Sequence, residues 1–230
     1  MYVRHTDLYV KPQHLDDFIR VLTTRARMLR GSDPAIKRID VMQSSQNPHI
    51  LIILEIYEDK AAWERLGNDS RAQAFDSQTT PWLEPGKKRV DEARNIEPTD
   101  AEWETAYLDV HSAKGQHGPT YTHNGPISVQ PLRRDEYKRL LVDEVRLAKQ
   151  MERGIIRFDI YQNLDNPNLF YTYEVYTDRD AHHYHYEQSY LKDFYLTGVP
   201  LMDRSRPLDR SNECHSLDPT DAEWLANKYA

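Results

Sequence analysis

Apolar residues return along this chain at two alternating periods. Tyr2–Val10 alternates loosely, as a strand does, and Pro12 closes it. Leu15, Phe18, Ile19, Leu22, Ala26 and Leu29 then recur every three or four residues, which places them on one face of a helix. Arg30-Gly31-Ser32 ends that helix with a basic last turn and a glycine. Ile36–Met42 and His49–Tyr57 read as two strands around a turn at Ser44–Pro48, and Asp59–Leu66 begins a second helix. The pattern is then repeated. Pro126–Val129 is a strand, and Asp135–Met151 a helix whose stripe is Tyr137, Leu140, Leu141, Val145, Ala148 and Met151. Gly154–Gln162 and Asn168–Tyr176 form a hairpin, Asp178–Phe194 a second helix, and a short last strand is expected near Pro200–Arg206.

The repetition extends to residue identity. Sliding the chain by 119 positions sets Pro12 on Pro131, Arg38 on Arg157, Asp40 on Asp159, Glu55 on Glu174, Tyr57 on Tyr176 and Phe75 on Phe194. Pro98–Trp103 recurs letter for letter at Pro219–Trp224. Its Thr-x-x-Glu spacing fits a capping box at Thr99 and Thr220, so a short helix is expected at each, clasping the other repeat. The organisation is a duplicated domain at 1–106, a linker at 107–124 and a second domain at 125–230.

A βαββαβ repeat makes a four-stranded antiparallel sheet with both helices on one face, the ferredoxin-like arrangement. Its other face stays apolar and needs a cover. The expected fold class is therefore α+β, two tandem ferredoxin-like domains closing sheet against sheet as a single-chain pseudo-dimeric barrel.

Composition narrows the partners. A net charge of -7 provides no basic face for nucleic acid. With 29% charged residues and a mean hydropathy of -0.82, the sequence reads as soluble. Apolar runs such as Ile50–Ile56 are far too short to span a bilayer. Met1–Asp7 shows no secretory pattern, so a cytoplasmic location is expected. The single Cys214 lies in a polar tail and excludes an internal disulfide framework. No glycine-rich phosphate loop is present to hold a nucleotide.

In the second repeat, Ile156–Gln162, Phe170–Tyr176, Asp178–His185 and Ser189–Phe194 carry a Phe-Asp strand, a Phe-Tyr…Glu-x-Tyr strand, an acidic helix start and a helical histidine. This resembles the antibiotic biosynthesis monooxygenase (ABM) domain of the dimeric α+β barrel superfamily. It is most similar to the branch containing isomerases of phosphorylated autoinducer-2. The resemblance implies a pocket between sheet and helices in each domain, with no metal or flavin, and sets the family's histidine on His185. Haem is disfavoured, because the residue set of the haem-degrading branch cannot be placed.

Comparing the repeats locates the chemistry. Leu66 stands where the second repeat has His185, and Ile52 and Leu54 stand where it has Tyr171 and Tyr173. The first repeat is expected to be structural, its pocket small and dry. The second is expected to be the active copy and to hold one ligand per chain. Histidine exchanges protons near neutral pH, so His185 is the candidate base. The plainer alternative is a solvated surface histidine, because His182, His183 and His185 crowd together. Tyr171, Tyr173, Tyr161 and Tyr190, with His182 and His123, are the candidate substrate-binding residues. Tyrosine is common here, however, at 15 residues, and many must simply edge the core. Metal ligation by His182, His185, Glu187 and His123 has no motif behind it, so neither metal nor cofactor is expected. The Arg157/Asp159 pair occurs in both repeats and reads as structural.

The leading expectation is a cofactor-independent monooxygenase acting with dioxygen on a small phenolic, quinol or other enolisable substrate. An isomerase of a small hydroxy-ketone and a non-catalytic binding or accessory protein are the alternatives. The fused chain is expected to act as such or to pair as a homodimer.

Overall fold

The computed structural model describes residues 1–67, 69–106, 119–205 and 213–225. In the first repeat, β1 (Tyr2–Tyr9), α1 (Leu15–Leu29), β2 (Ile36–Ser44), β3 (Ile50–Tyr57), α2 (Lys60–Gly67), α3 (Ser70–Thr79) and β4 (Arg89–Glu97) follow in order. The second repeat gives β5 (Tyr121–Ser128), α4 (Arg134–Met151), β6 (Ile155–Asn163), β7 (Leu169–Tyr176), α5 (Arg179–Glu187), α6 (Ser189–Gly198) and β8 (Glu213–Asp218), with α7 (Asp221–Leu225) after it.

The 119-residue register survives in detail. β2 and β6, β3 and β7, and α3 and α6 correspond end to end. Even the bulge between Ile36 and Arg38 returns between Ile155 and Arg157. Strand pairing is antiparallel, β1 with β3 and β4 and β3 with β2, and likewise β5 with β7 and β8 and β7 with β6. The hydrogen-bonded order β1-β3-β2-β8-β5-β7-β6-β4 is closed. The fold class is α+β, two tandem ferredoxin-like repeats of a single-chain pseudo-dimeric barrel.

Each repeat buries one helix stripe against one sheet face. Phe18, Leu22 and Ala26 of α1 meet Ile39, Val41, Leu51 and Tyr57. Tyr137, Leu141, Val145 and Ala148 of α4 meet Phe158, Ile160, Phe170 and Tyr176. Alternate strand residues share a face, so Thr172 and Glu174 also look toward the helices.

The chain divides into two compact units, Met1–Arg94 with Ser216–Pro219, and Asn95–His215 with Thr220–Ala230. In the first unit, Asp218 is wholly buried between Arg30, at 2.5 Å, and Arg27, at 3.1 Å. In the second, Glu97 lies 3.0 Å from Arg146 and 2.7 Å from Lys149.

Several expectations change. The helix expected over 178–194 breaks at Gln188, whose extended backbone separates α5 from α6. The last strand is β8, not 200–206; Val199–Leu201 is a 3-10 turn, and 206–212 lie outside the described residues. Thr99 forms its capping contacts with Glu102 but heads a run of turns, whereas Thr220 does precede a helix. That helix falls in the second unit, and only Ser216–Pro219 joins the first. Most of the expected linker, 107–118, lies outside the described residues, and 121–124 begin β5. Cys214 is buried in β8. Among the described residues no helix is long and apolar enough to cross a membrane.

Candidate functional site

The second repeat gathers its titratable groups under α5. Asp178 caps this helix by accepting from the Ala181 amide at 2.7 Å. The cap fixes where α5 starts, and the three-residue spacing puts His182 and His185 on one helix face. His185 is buried against the rings of Phe158, Tyr176 and Tyr186. Its Nδ1 meets Glu152 Oε1 at 2.7 Å, and the Tyr190 hydroxyl donates to the same oxygen. A carboxylate on Nδ1 fixes the tautomer with its proton there and leaves Nε2 as the acceptor.

Nε2 faces Glu144 Oε1 at 3.6 Å. That is too long for a hydrogen bond. Burial, assisted by Glu174 and Glu152 against the opposing pull of His185, pushes Glu144 up to about 8. We therefore read this contact as a neutral carboxyl beside the imidazole, not as a salt bridge. Burial lowers the His185 pKa, but the Glu152 hydrogen bond and the charges of Glu174 and Glu152 outweigh it and leave a net rise.

A second cluster adjoins the first. His123 Nδ1 lies 3.3 Å from Glu174 Oε1, and Tyr176 donates to Glu174 Oε2 at 2.8 Å. Burial alone would raise Glu174, yet His123, His185 and the Tyr176 hydrogen bond bring it down to about 2. His182 packs against Tyr121, Tyr176 and Tyr186, and burial lowers it to about 4, so it is a neutral imidazole.

The expected site residues divide. His185, Tyr190, His182 and His123 come together, with His123 a residue of β5 rather than of a linker. Tyr171, Tyr173 and Tyr161 do not join them. Phe170 and Tyr176 face the helices, so Tyr171 and Tyr173 look to the opposite side of the sheet. Tyr171 there accepts from Asn163 at 3.2 Å, and Tyr161 donates to Asp159 at 2.6 Å. Sequence reasoning missed Glu144 and Glu152. Their counterparts 119 residues earlier are Arg25 and Asp33, so the signal was a charge reversal between repeats at position 144.

The corresponding region of the first repeat is not small. A cavity of about 650 Å³ is lined there by Arg4, Arg25, Glu55, Tyr57, Trp63 and Phe75 among others. The counterparts of Glu152 and Tyr190 explain the room. Asp33 turns to Arg65 at 2.8 Å, and Arg71 turns to Asp69 at 2.7 Å, both at the surface. Leu66 and Trp63 line the space without filling it.

Titratable groups lie between the ferredoxin-like sheet and its helices, and the comparisons give the family of the chain. The antibiotic biosynthesis monooxygenase family matches at residues 1–76 and 120–195, more than half of the chain, and the chain belongs to that family. The fold resembles that of a provisionally assigned monooxygenase from Lactobacillus acidophilus NCFM, at 14% identity and TM-score 0.74, covering 94% of this chain and 93% of that one. A provisionally assigned monooxygenase from Fusobacterium nucleatum is similar at 17% identity and TM-score 0.75, covering 94% and 92%. A protein described as anthrone oxidase-like shares the fold at 12% identity and TM-score 0.60, covering 94% and 91%. No curated protein sequence matches the chain.

Proposed function

We propose that the chain is an oxygenase acting on a small phenolic, quinol or other enolisable substrate in the second repeat, without flavin, haem or nucleotide. One observation carries this reading: a buried histidine whose Nδ1 is held by a carboxylate at 2.7 Å, leaving Nε2 to accept a proton. His185 removes the acidic O–H or C–H proton, and the electron-rich anion then reduces dioxygen. One oxygen atom ends on the substrate carbon, which loses two hydrogens, and the other leaves as water. Family membership supports monooxygenase-type chemistry in general. The anthrone oxidase-like relative is in keeping with a phenolic substrate, although at 12% identity it speaks for fold alone.

Oxygen uptake measured over a panel of phenols and quinols tests this. We expect uptake with at least one, falling by about 10²–10⁴ in kcat/KM in His185→Ala. An unchanged rate in that variant removes His185 from the mechanism. Turnover without oxygen uptake supports the hydroxy-ketone isomerase, which needs the same proton transfer.

The cavity in the first repeat favours a second reading, a binding role. Its volume of about 650 Å³ suits a small molecule. Ligand binding that is lost in Arg25→Glu and unaffected by His185→Ala supports this role for the first repeat.

A further inference from the structure

The second repeat surrounds one buried carboxylate with two imidazoles where the first uses a guanidinium and an indole. In the 119-residue register His123 stands for Arg4, Glu174 for Glu55 and His182 for Trp63. In the first repeat Arg4 Nη1 lies 3.2 Å from Glu55 Oε2, and its guanidinium carbon lies 4.2 Å from the centre of the Trp63 ring. That carboxylate therefore has a permanent cation, steadied by an aromatic face. In the second repeat both the cation and its platform have been exchanged for histidine. The carboxylate remains, and it is more deeply buried.

The exchange leaves a set of ligand atoms. One nitrogen from each of His123 and His182 and one oxygen of Glu174 lie within 4.8 Å of one another. The 3.3 Å between His123 Nδ1 and Glu174 Oε1 already matches the roughly 3.3–3.5 Å between two ligands on a tetrahedral ion with bonds near 2.1 Å. Nε2 of His182 is buried and has no hydrogen-bond partner among the described residues. A buried polar atom without a partner is costly, so the site has a use for an electron-pair acceptor.

We propose that His123, Glu174 and His182 bind one divalent transition-metal ion. Two imidazoles and a carboxylate suit zinc, cobalt, nickel, copper or ferrous iron better than calcium or magnesium, which take oxygen ligands. Outer contacts that orient the ligands are in place. Tyr176 holds the other Glu174 oxygen at 2.8 Å, and Tyr121 and Tyr186 confine the His182 ring at 4.4 and 4.8 Å between centroids. Three protein ligands leave at least one coordination position for water or a substrate oxygen. The ion would take the electrostatic place of Arg4. This holds whether or not His185 moves a proton.

The test uses the full-length chain without an affinity tag, stripped with a chelator and titrated with Co²⁺. Visible absorption and calorimetry should give one equivalent bound per chain. Affinity should fall at least tenfold in His182→Ala and in Glu174→Gln, and by less than about threefold in His185→Ala, which removes a neighbour of Glu174 but no ligand. Circular dichroism checks that each variant is folded, and His182→Gln replaces His182→Ala if that one is not. A gain-of-site variant, Arg4→His with Trp63→His, should raise the stoichiometry to two. Wild-type Co²⁺ binding no tighter than that of His182→Ala overturns the proposal. Binding lost in His185→Ala and kept in His182→Ala also overturns it, in favour of His185 and its carboxylates.

Discussion

His185 and its two carboxylates set the sign of two pH effects. In the proposed mechanism the base is the neutral His185 imidazole, and the net pKa of that group is raised above the ordinary value of 6.5. The rate should therefore climb with pH through a midpoint above that value. Glu152 supplies the largest of the raising contributions, so Glu152→Gln should move this limb to lower pH as well as lower the rate, measured as kcat/KM against pH. Glu144 gives a stability effect instead. Its carboxyl stays protonated in the folded chain up to about 8, against 4.5 as an ordinary carboxyl. The folded state thus holds a proton that the unfolded state has lost, and its stabilising contribution, complete below about 4.5, disappears as pH rises toward 8. Glu144→Gln has no such loss. Its urea midpoint should gain on the wild type between pH 5 and 8, by about 1–4 kcal/mol in stability, and then level off. A constant difference across that range would show that the carboxyl titrates normally.

At the scale of elements, α5 presents the histidines and Gly154 lets it approach. A Cβ on Gly154 would lie 2.4 Å from Ala181 Cβ and 3.4 Å from Ala181 Cα. A short side chain fixed to a helix cannot swing aside. Gly154→Ala should therefore cost about 1–3 kcal/mol and displace α5 with His182 and His185. Denaturant unfolding would measure the cost, and a wild-type midpoint would show that the helix gives way freely. The first repeat has Ala35 and Ala62 at these positions, so its helix must sit differently. The elements themselves were legible because apolar spacing and repetition agree: Leu22 and Leu141 each fall on the predicted stripe and each is buried. The break at Gln188 was not, because no glycine or proline marks it. Part of the candidate cluster was legible. His185 and Tyr190 followed from the family resemblance and from tyrosine chemistry, whereas Tyr171 and Tyr173 were set on the wrong side because alternation gives two faces without saying which one the helices cover. Glu152 was hidden because it follows α4, outside the strand and helix patterns that were compared.

For the molecule as a whole, the two compact units do not coincide with the two sequence repeats. Residues from Asn95 onward, which end the first repeat, count with the second unit, and Ser216–Pro219 count with the first. The exchanged segments carry energy. Leu217 packs into the first core, and Ile96 packs into the second. Asp218 is buried between Arg27 and Arg30, and Arg157 stacks 4.4 Å over Trp103. Removing one member of a buried ion pair leaves its partner's charge uncompensated, so Asp218→Asn should destabilise the chain by about 3 kcal/mol, partly relieved because Arg27 reaches solvent. The same logic extends to the repeats. A fragment of residues 1–106 lacks Leu217 and Asp218, and a fragment of 120–230 lacks Ile96, Glu97 and Trp103. Each is missing part of its own core, so neither should unfold cooperatively when isolated. Mixed in equal amounts, the fragments regain every one of these contacts. Near-ultraviolet circular dichroism and sedimentation should show one folded one-to-one complex. Two fragments that fold separately as stable monomers would mean that the exchanged segments are ornaments and that each repeat is sufficient by itself.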